Sequence, residues 1–257
     1  MSSRLRAIAL FGILAGAAAY VMLALPPVLQ DESYHQFADR RTIGGIPNFW
    51  NVISNLAFVA AWFYGIGALR RKAAFTKDWE RAAYGVFLAG VLLTAFGSAW
   101  YHLHPNSGTL LWDRLPMTLA FLSLFSATIG ERIDCRLGRV MLIPLLLAGV
   151  GTVLHWRLSG DLRWYGLAQF APVLSIPAML LLFPPRYSHS GGIWAMAGLY
   201  VLAKAAELWD RPIAAVIATG GHPWKHVLAA AAVSCYAATV RRRKIAESSG
   251  VPSAGSI

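Results

Sequence analysis

Apolar residues run through this chain in long blocks, and short clusters of Arg and Lys separate one block from the next. Eight blocks stand out, at 5–28, 48–69, 82–102, 111–130, 138–156, 164–183, 193–209 and 223–240. A helix rises about 1.5 Å per residue and the hydrocarbon core of a bilayer is about 30 Å thick, so about 20 apolar residues are needed to cross it. The pattern predicts an all-α membrane protein with eight transmembrane helices. The first block contains Ala15, Gly16, Ala17, Ala18 and Ala19, small residues that would suit cleavage as a secretory leader. It runs on to Pro26, longer than a usual signal core, and is expected to stay as a helix. The last two blocks hold Lys204, Glu207, Lys225 and His226, and ionisable groups within spans are costly and tend to be functional.

Cytoplasmic loops are enriched in Lys and Arg, which orients the spans. Arg4 and Arg6 precede the first block; Arg70, Arg71, Lys72, Lys77 and Arg81 separate the second and third; Arg132, Arg136 and Arg139 separate the fourth and fifth. Arg186 follows the sixth, and Arg241, Arg242, Arg243 and Lys244 follow the eighth. With eight spans these all lie on one side, so both termini are expected in the cytoplasm. The loops on the other side are poorer in bases: Arg40 and Arg41 are balanced by Asp31, Glu32 and Asp39.

Composition agrees with this picture: 57% of the 257 residues are hydrophobic and 14% are charged. The net charge of +11 does not point to nucleic acid, because the bases sit between apolar blocks and not on one folded face. Cys135 and Cys235 have no metal or redox spacing. Tryptophans near block ends, including Trp50, Trp112, Trp164 and Trp209, suit an interfacial belt.

Candidate chemistry begins at Gly221-His222-Pro223-Trp224-Lys225-His226. Two histidines four apart share one helical face, the reach needed to hold one metal ion. His102 is the best third ligand, and Ser98 lies one turn before it on the same face. Residues 104–108 read as a tight turn, which returns Asp113 close to His102. The predicted topology puts all of these at the non-cytoplasmic face. Three neutral imidazoles leave a fourth position of a tetrahedral zinc open, and the metal lowers the pKa of water towards about 7. Asp113 is then placed to take the water proton and return it to a leaving amine, and Ser98 to donate to the oxyanion. A haem is a poorer match, because ligands one turn apart suit a small ion better than two faces of a porphyrin.

Of the other histidines, His104 reads as a loop or rim residue, His155 has no partner four positions on, and His189 falls in a cytoplasmic loop. Tyr34, His35, Asp39, Glu207 and Asp210 are candidates either to orient the ligands or to bind calcium through carboxylates and carbonyls. Lys204 and Glu207, three apart, are read as an intramembrane ion pair. Asn51, Ser54 and Asn55 are polar on a span and could bond between helices.

These residues resemble the alkaline ceramidases, part of a superfamily of seven-span membrane hydrolases that also includes the adiponectin-type receptors. The resemblance rests on Asn48-Phe49-Trp50-Asn51-Val52-Ile53-Ser54-Asn55, on Ser98-x-x-x-His102, on Trp112-Asp113-Arg114-Leu115-Pro116-Met117 and on His222-x-x-x-His226. It implies zinc on His102, His222 and His226, Asp113 and Ser98 at the reaction centre, and cleavage of the ceramide amide to a sphingoid base and a fatty acid. A seven-helix core over 34–240 is then expected, preceded by an extra helix and loop over 1–33 and followed by a basic, disordered tail over 241–257. Calcium (Ca2+) is in question: Asp39 falls in the region of the family's acidic cluster, but Asn48 stands where a glutamate would be expected. A receptor-like protein with a mainly structural zinc is the alternative. Short loops and no large soluble domain point to a compact prokaryotic inner-membrane enzyme acting on a lipid substrate in the bilayer.

Overall fold

The computed structural model describes residues 2–246; residues 247–257, most of the tail expected to be disordered, lie outside that range. The chain is all-α, with helices α1 Ser3–Ala24, α2 Phe49–Ile53, α3 Leu56–Ile66, α4 Asp78–Leu103, α5 Ser107–Arg132, α6 Cys135–Ser159, α7 Arg163–Leu182, α8 Gly191–Leu208, α9 Asp210–Ala214 and α10 His222–Arg242. Each expected block contains helix, although α1 ends at Ala24, short of the expected 28. Five segments are long and apolar enough to cross a membrane: Ser3–Ala24, Phe49–Arg70, Asp78–Leu103, Cys135–Ser159 and Arg163–Leu182. This is a multi-pass integral membrane protein, with Leu23, Leu158, Leu181 and Leu208 turned outward as lipid-facing residues would be.

The remaining expected spans, α5, α8 and α10, are helical but are not among those five segments. They carry the groups the interior uses: Asp113 and Arg114 on α5, Lys204 and Glu207 on α8, Lys225 on α10. Most of the second half of α5, from Leu122 to Gly130, is buried without a break. It packs between α4, α6 and α7, while α10 packs on α8, α3 and α2. Contacts of α3 with α4 and of α7 with α8 complete the circuit, and α1 lies outside it against α7.

Small residues let these helices approach. A Cβ at Gly97 of α4 would stand 2.0 Å from the carbonyl oxygen of Trp112 on α5, and one at Gly90 would stand 2.8 Å from that of Pro116. Without a hydrophobic drive between helices in lipid, such backbone contact supplies the packing. The turn before α5 is pinned by Asn106, whose side chain accepts from Gly108 N at 2.8 Å and Thr109 N at 3.0 Å. Helix α4 therefore folds straight back into α5, bringing Ser98 and Asp113 to adjoining backbone.

The block at 48–69 does not run as one continuous helix. Asn55 Nδ2 donates to the carbonyls of Asn51 (2.8 Å) and Val52 (3.2 Å), competing with the helical ladder and breaking it between α2 and α3.

At the end of the bundle away from the histidines, Glu80 accepts from Thr76, Tyr187 and Arg186. Nearby, Arg243 pairs with Glu131, donates to Ala74 O and lies over the rings of Tyr187 and Phe75. Arg243 is thus buried, while Ile245, itself exposed, is bridged to Tyr187.

The segment between α1 and α2 crosses the opposite, histidine-bearing end. Asp161 anchors it: its carboxylate accepts from Val28 N at 3.3 Å and from the Arg163 guanidinium, which in turn donates to Leu25 O at 2.6 Å. These hydrogen bonds, Arg163 first, hold the Asp161 carboxyl down at about 2. Because that lies below the ordinary 3.8, the stabilisation is present above about pH 4 and lost as pH falls through about 2.

Two outcomes are expected. Gly97→Ala should destabilise the detergent-solubilised protein by about 1–3 kcal/mol, whereas Gly85→Ala, with nothing near its Cβ, should not; thermal unfolding of the two variants reads the difference. Asp161→Ala should lower the protection of the Val28 amide against exchange, relative to its intrinsic rate, at neutral pH to the value the parent reaches only near pH 2.

Candidate metal centre

His102 occupies the last turn of α4, and His222 and His226 occupy the first turns of α10. Pro223 suits that start because its missing N–H would be unpaired there in any case. Their neighbours bring the two helices together. A Cβ at Gly221 would stand 2.1 Å from Ala206 O of α8, so only glycine lets α10 begin this deep. Asp210 Oδ1 accepts from His222 N at 2.8 Å, and its Oδ2 accepts from Ala38 N of the covering segment, also at 2.8 Å. Asn48, with φ at 47°, donates from its side chain to His102 O at 2.9 Å, tying the start of α2 to the end of α4.

The three imidazoles meet in a buried group whose ligand atoms all lie within 4.8 Å of one another. His102 Nε2 and His226 Nε2 are 3.3 Å apart. Two nitrogens bound to one tetrahedral zinc at about 2.0–2.1 Å would be separated by about 3.3–3.4 Å, so that edge has the dimension the ion requires. His222 Nε2 is buried and has no hydrogen-bond partner. A ring nitrogen kept from water and left unpaired fits a metal ligand better than a core histidine.

The tautomer of His226 follows from its neighbour. Ser54 gives its hydroxyl proton to Asn51 O at 3.1 Å, so it accepts from His226 Nδ1–H at 2.7 Å. The lone pair is then on Nε2, facing the other histidines. Ser54 was expected to bond between helices; the break at Asn55 is what aims it at α10.

Ser98 stands one turn before His102 on α4, and Asp113 is on α5 where its backbone meets α4 at Gly97. Both are buried, at 2% and 5% exposure. His104 is an exposed cap at the end of α4, His155 is exposed on α6, and His189 bonds to Ser188; none joins the group. Asp39 has its oxygens taken by Arg41 Nε at 2.5 Å and Trp50 N at 3.2 Å. Among the described residues the three histidines form a metal-competent group, and Asp39 and Asp210 serve backbone N–H groups.

Phe37 and Lys225 had no assigned role in the sequence. Phe37 lies over the histidines, its ring 4.6 Å from that of His102 and 4.7 Å from that of His222, and it closes the group off from the water side. Nothing in the local pattern marks it. The expected Lys204–Glu207 ion pair forms, but Lys225 also reaches Glu207, at 2.6 Å. His222 and Lys225 are three positions apart, so a helical wheel would have put both on related faces. Tyr34 donates to Glu207 at 3.1 Å; burial, then the Glu207 charge, raise its pKa and keep it a neutral donor. His35 bonds Tyr101 OH at 2.9 Å and is held below its ordinary pKa by burial.

Comparison with known protein families finds no matching family model, and comparison with curated proteins finds no matching relative.

Equilibrium dialysis should show one bound Zn2+ per chain in the parent and none in His222→Ala. Ser54→Ala should still bind it, but about 10–100-fold more weakly, because the imidazole it orients is freed to turn.

Proposed function

We propose that this chain is a zinc-dependent integral-membrane amidase, hydrolysing the amide bond of ceramide-like lipids to a sphingoid base and a fatty acid. Helices α2 to α10 form its seven-span core and α1 an added span, with both termini in the cytoplasm and the site at the other face. The observation that carries the reading is the meeting of three buried imidazoles from α4 and α10; Ser98, one turn before His102, and Asp113, across the Gly97 contact, are the buried hydroxyl and carboxylate that the reading assigns to the reaction centre. A metal that only braced the fold would need no such neighbours.

His102, His222 and His226 are the residues that would hold the ion, and a set of three nitrogen donors suits zinc. Zinc so held supplies Lewis acidity, polarising a carbonyl and bringing the pKa of water to about 7. Asp113 takes a proton from the attacking water as its oxygen bonds to the amide carbon. It returns that proton to the nitrogen as the C–N bond breaks, so the amine leaves neutral. Ser98 donates to the oxygen on which negative charge gathers. Phe37 and the covering segment exclude bulk water, which strengthens both interactions. The acyl chains stay among apolar helices while the amide reaches the end of the bundle.

Purified protein in detergent, given ceramide, should release fatty acid, and a chelator should stop it. Absence of fatty acid with and without chelator would favour a receptor-like protein with a structural metal. Asp113→Asn should keep its zinc and lose about 10²–10⁴-fold in turnover; loss of zinc would make Asp113 a ligand instead.

A further inference from the structure

Arg114 follows Asp113 on α5 and is buried, with 6% of its surface exposed. Its guanidinium lies over the rings of Trp156 (4.1 Å), Tyr165 (4.7 Å) and Tyr34 (5.8 Å). One amino group donates to Gln30 Oε1 at 2.6 Å; the other, NH1, is buried and has no partner. Among the described residues no carboxylate stands within ion-pair distance of it. Aromatic faces and one amide oxygen offset part of the cost of burying a cation, but they leave its charge in place.

The surroundings do not supply the missing anion. Tyr34 connects Arg114 to Glu207, but Glu207 is already shared by Lys204 and Lys225. Asp113 is the other acid here, and it feels both Lys225 and Arg114. Glu207 is thus occupied by two ammonium groups, and among the described residues no carboxylate is paired with Arg114. A dry site with an unpaired cation and a free guanidinium N–H is matched by one monoanionic oxygen group.

We infer that Arg114 receives a carboxylate on the head of the lipid amide, so that this enzyme favours acidic amides such as N-acyl amino acids over neutral ones. The assignment rests on the amidase reading but changes its head group: an N-acyl amino acid would release an amino acid in place of a sphingoid base, and ceramide, a neutral amide, would be the poorer substrate. It makes Arg114 a specificity residue next to the proton-transferring Asp113. Gln30, near the start of the covering segment, holds the guanidinium in place.

Binding and turnover test this separately. Zinc-loaded full-length protein in detergent is titrated with N-oleoylglycine, with the neutral N-oleoylethanolamine and with oleate, and release of oleate from both amides is followed in parallel. The parent should bind N-oleoylglycine about tenfold or more tighter than the ethanolamide. In Arg114→Gln that preference should vanish, and in Arg114→Lys part of it should remain. Equal binding of the two amides by the parent overturns the inference without any variant, even if Arg114→Gln fails to fold. Tight binding of oleate without N-oleoylglycine also overturns it, by moving the carboxylate site to the product. A charge preference in binding with no oleate released sinks the amidase reading and leaves Arg114 as an acidic-lipid site.

Discussion

Three imidazoles held together without water make the central demand on this molecule. Each brings a polar nitrogen into an apolar interior, and a nitrogen left there unpaired is costly. His226 satisfies one of its two through Ser54, and the Nε2 atoms of His102 and His226 face each other at 3.3 Å. The rest of the bundle can be understood as what holds those rings at that spacing: α4 and α10 must end at one level and be close enough for rings on both to meet.

That closeness is bought with glycine. Gly97 and Gly90 let α4 touch α5 backbone to backbone, and Gly221 does the same for α10 against α8. The polar residues then take positions that the contacts dictate. The backbone of α5 at Trp112 and Asp113 meets α4 at Gly97, next to Ser98, and Asp210 reaches His222 N because α10 starts against α8. Packing and chemistry are one arrangement here: the close approaches that stabilise the bundle in lipid are those that assemble the group of functional side chains.

The second requirement is a cover. The segment from residue 25 to residue 48 passes over the histidine end and sends one side chain after another into it. Gln30 meets Arg114, Tyr34 meets Glu207, Phe37 lies on two of the histidines, and the Ala38 amide meets Asp210. Asp161 and Arg163 fasten its beginning, and Asp39 fastens its end by accepting from Trp50 N. The charged groups of α5, α8 and α10 are thereby kept from water, and their attractions for one another and for a ligand are strengthened. The same polarity separates these three helices from the five segments apolar enough to cross a membrane on composition alone.

By itself the sequence determined the helices and the residues that stand one turn apart on them. Apolar blocks of span length leave the backbone little alternative to a helix in lipid, and a spacing of four fixes His222 with His226 and Ser98 with His102 whatever surrounds them. The turn at 104–108 similarly committed α4 and α5 to lie antiparallel. Only the tertiary structure decided what meets across helices. It turned Ser54 towards His226 through the break at Asn55, brought Lys225 to Glu207, set Phe37 over the imidazoles and left Arg114 among aromatic rings without an acid. Those pairings depend on how far each helix is rotated and how close its backbone comes to the next. Both are set by contacts between residues dozens to more than a hundred positions apart, for which local spacing carries no signal.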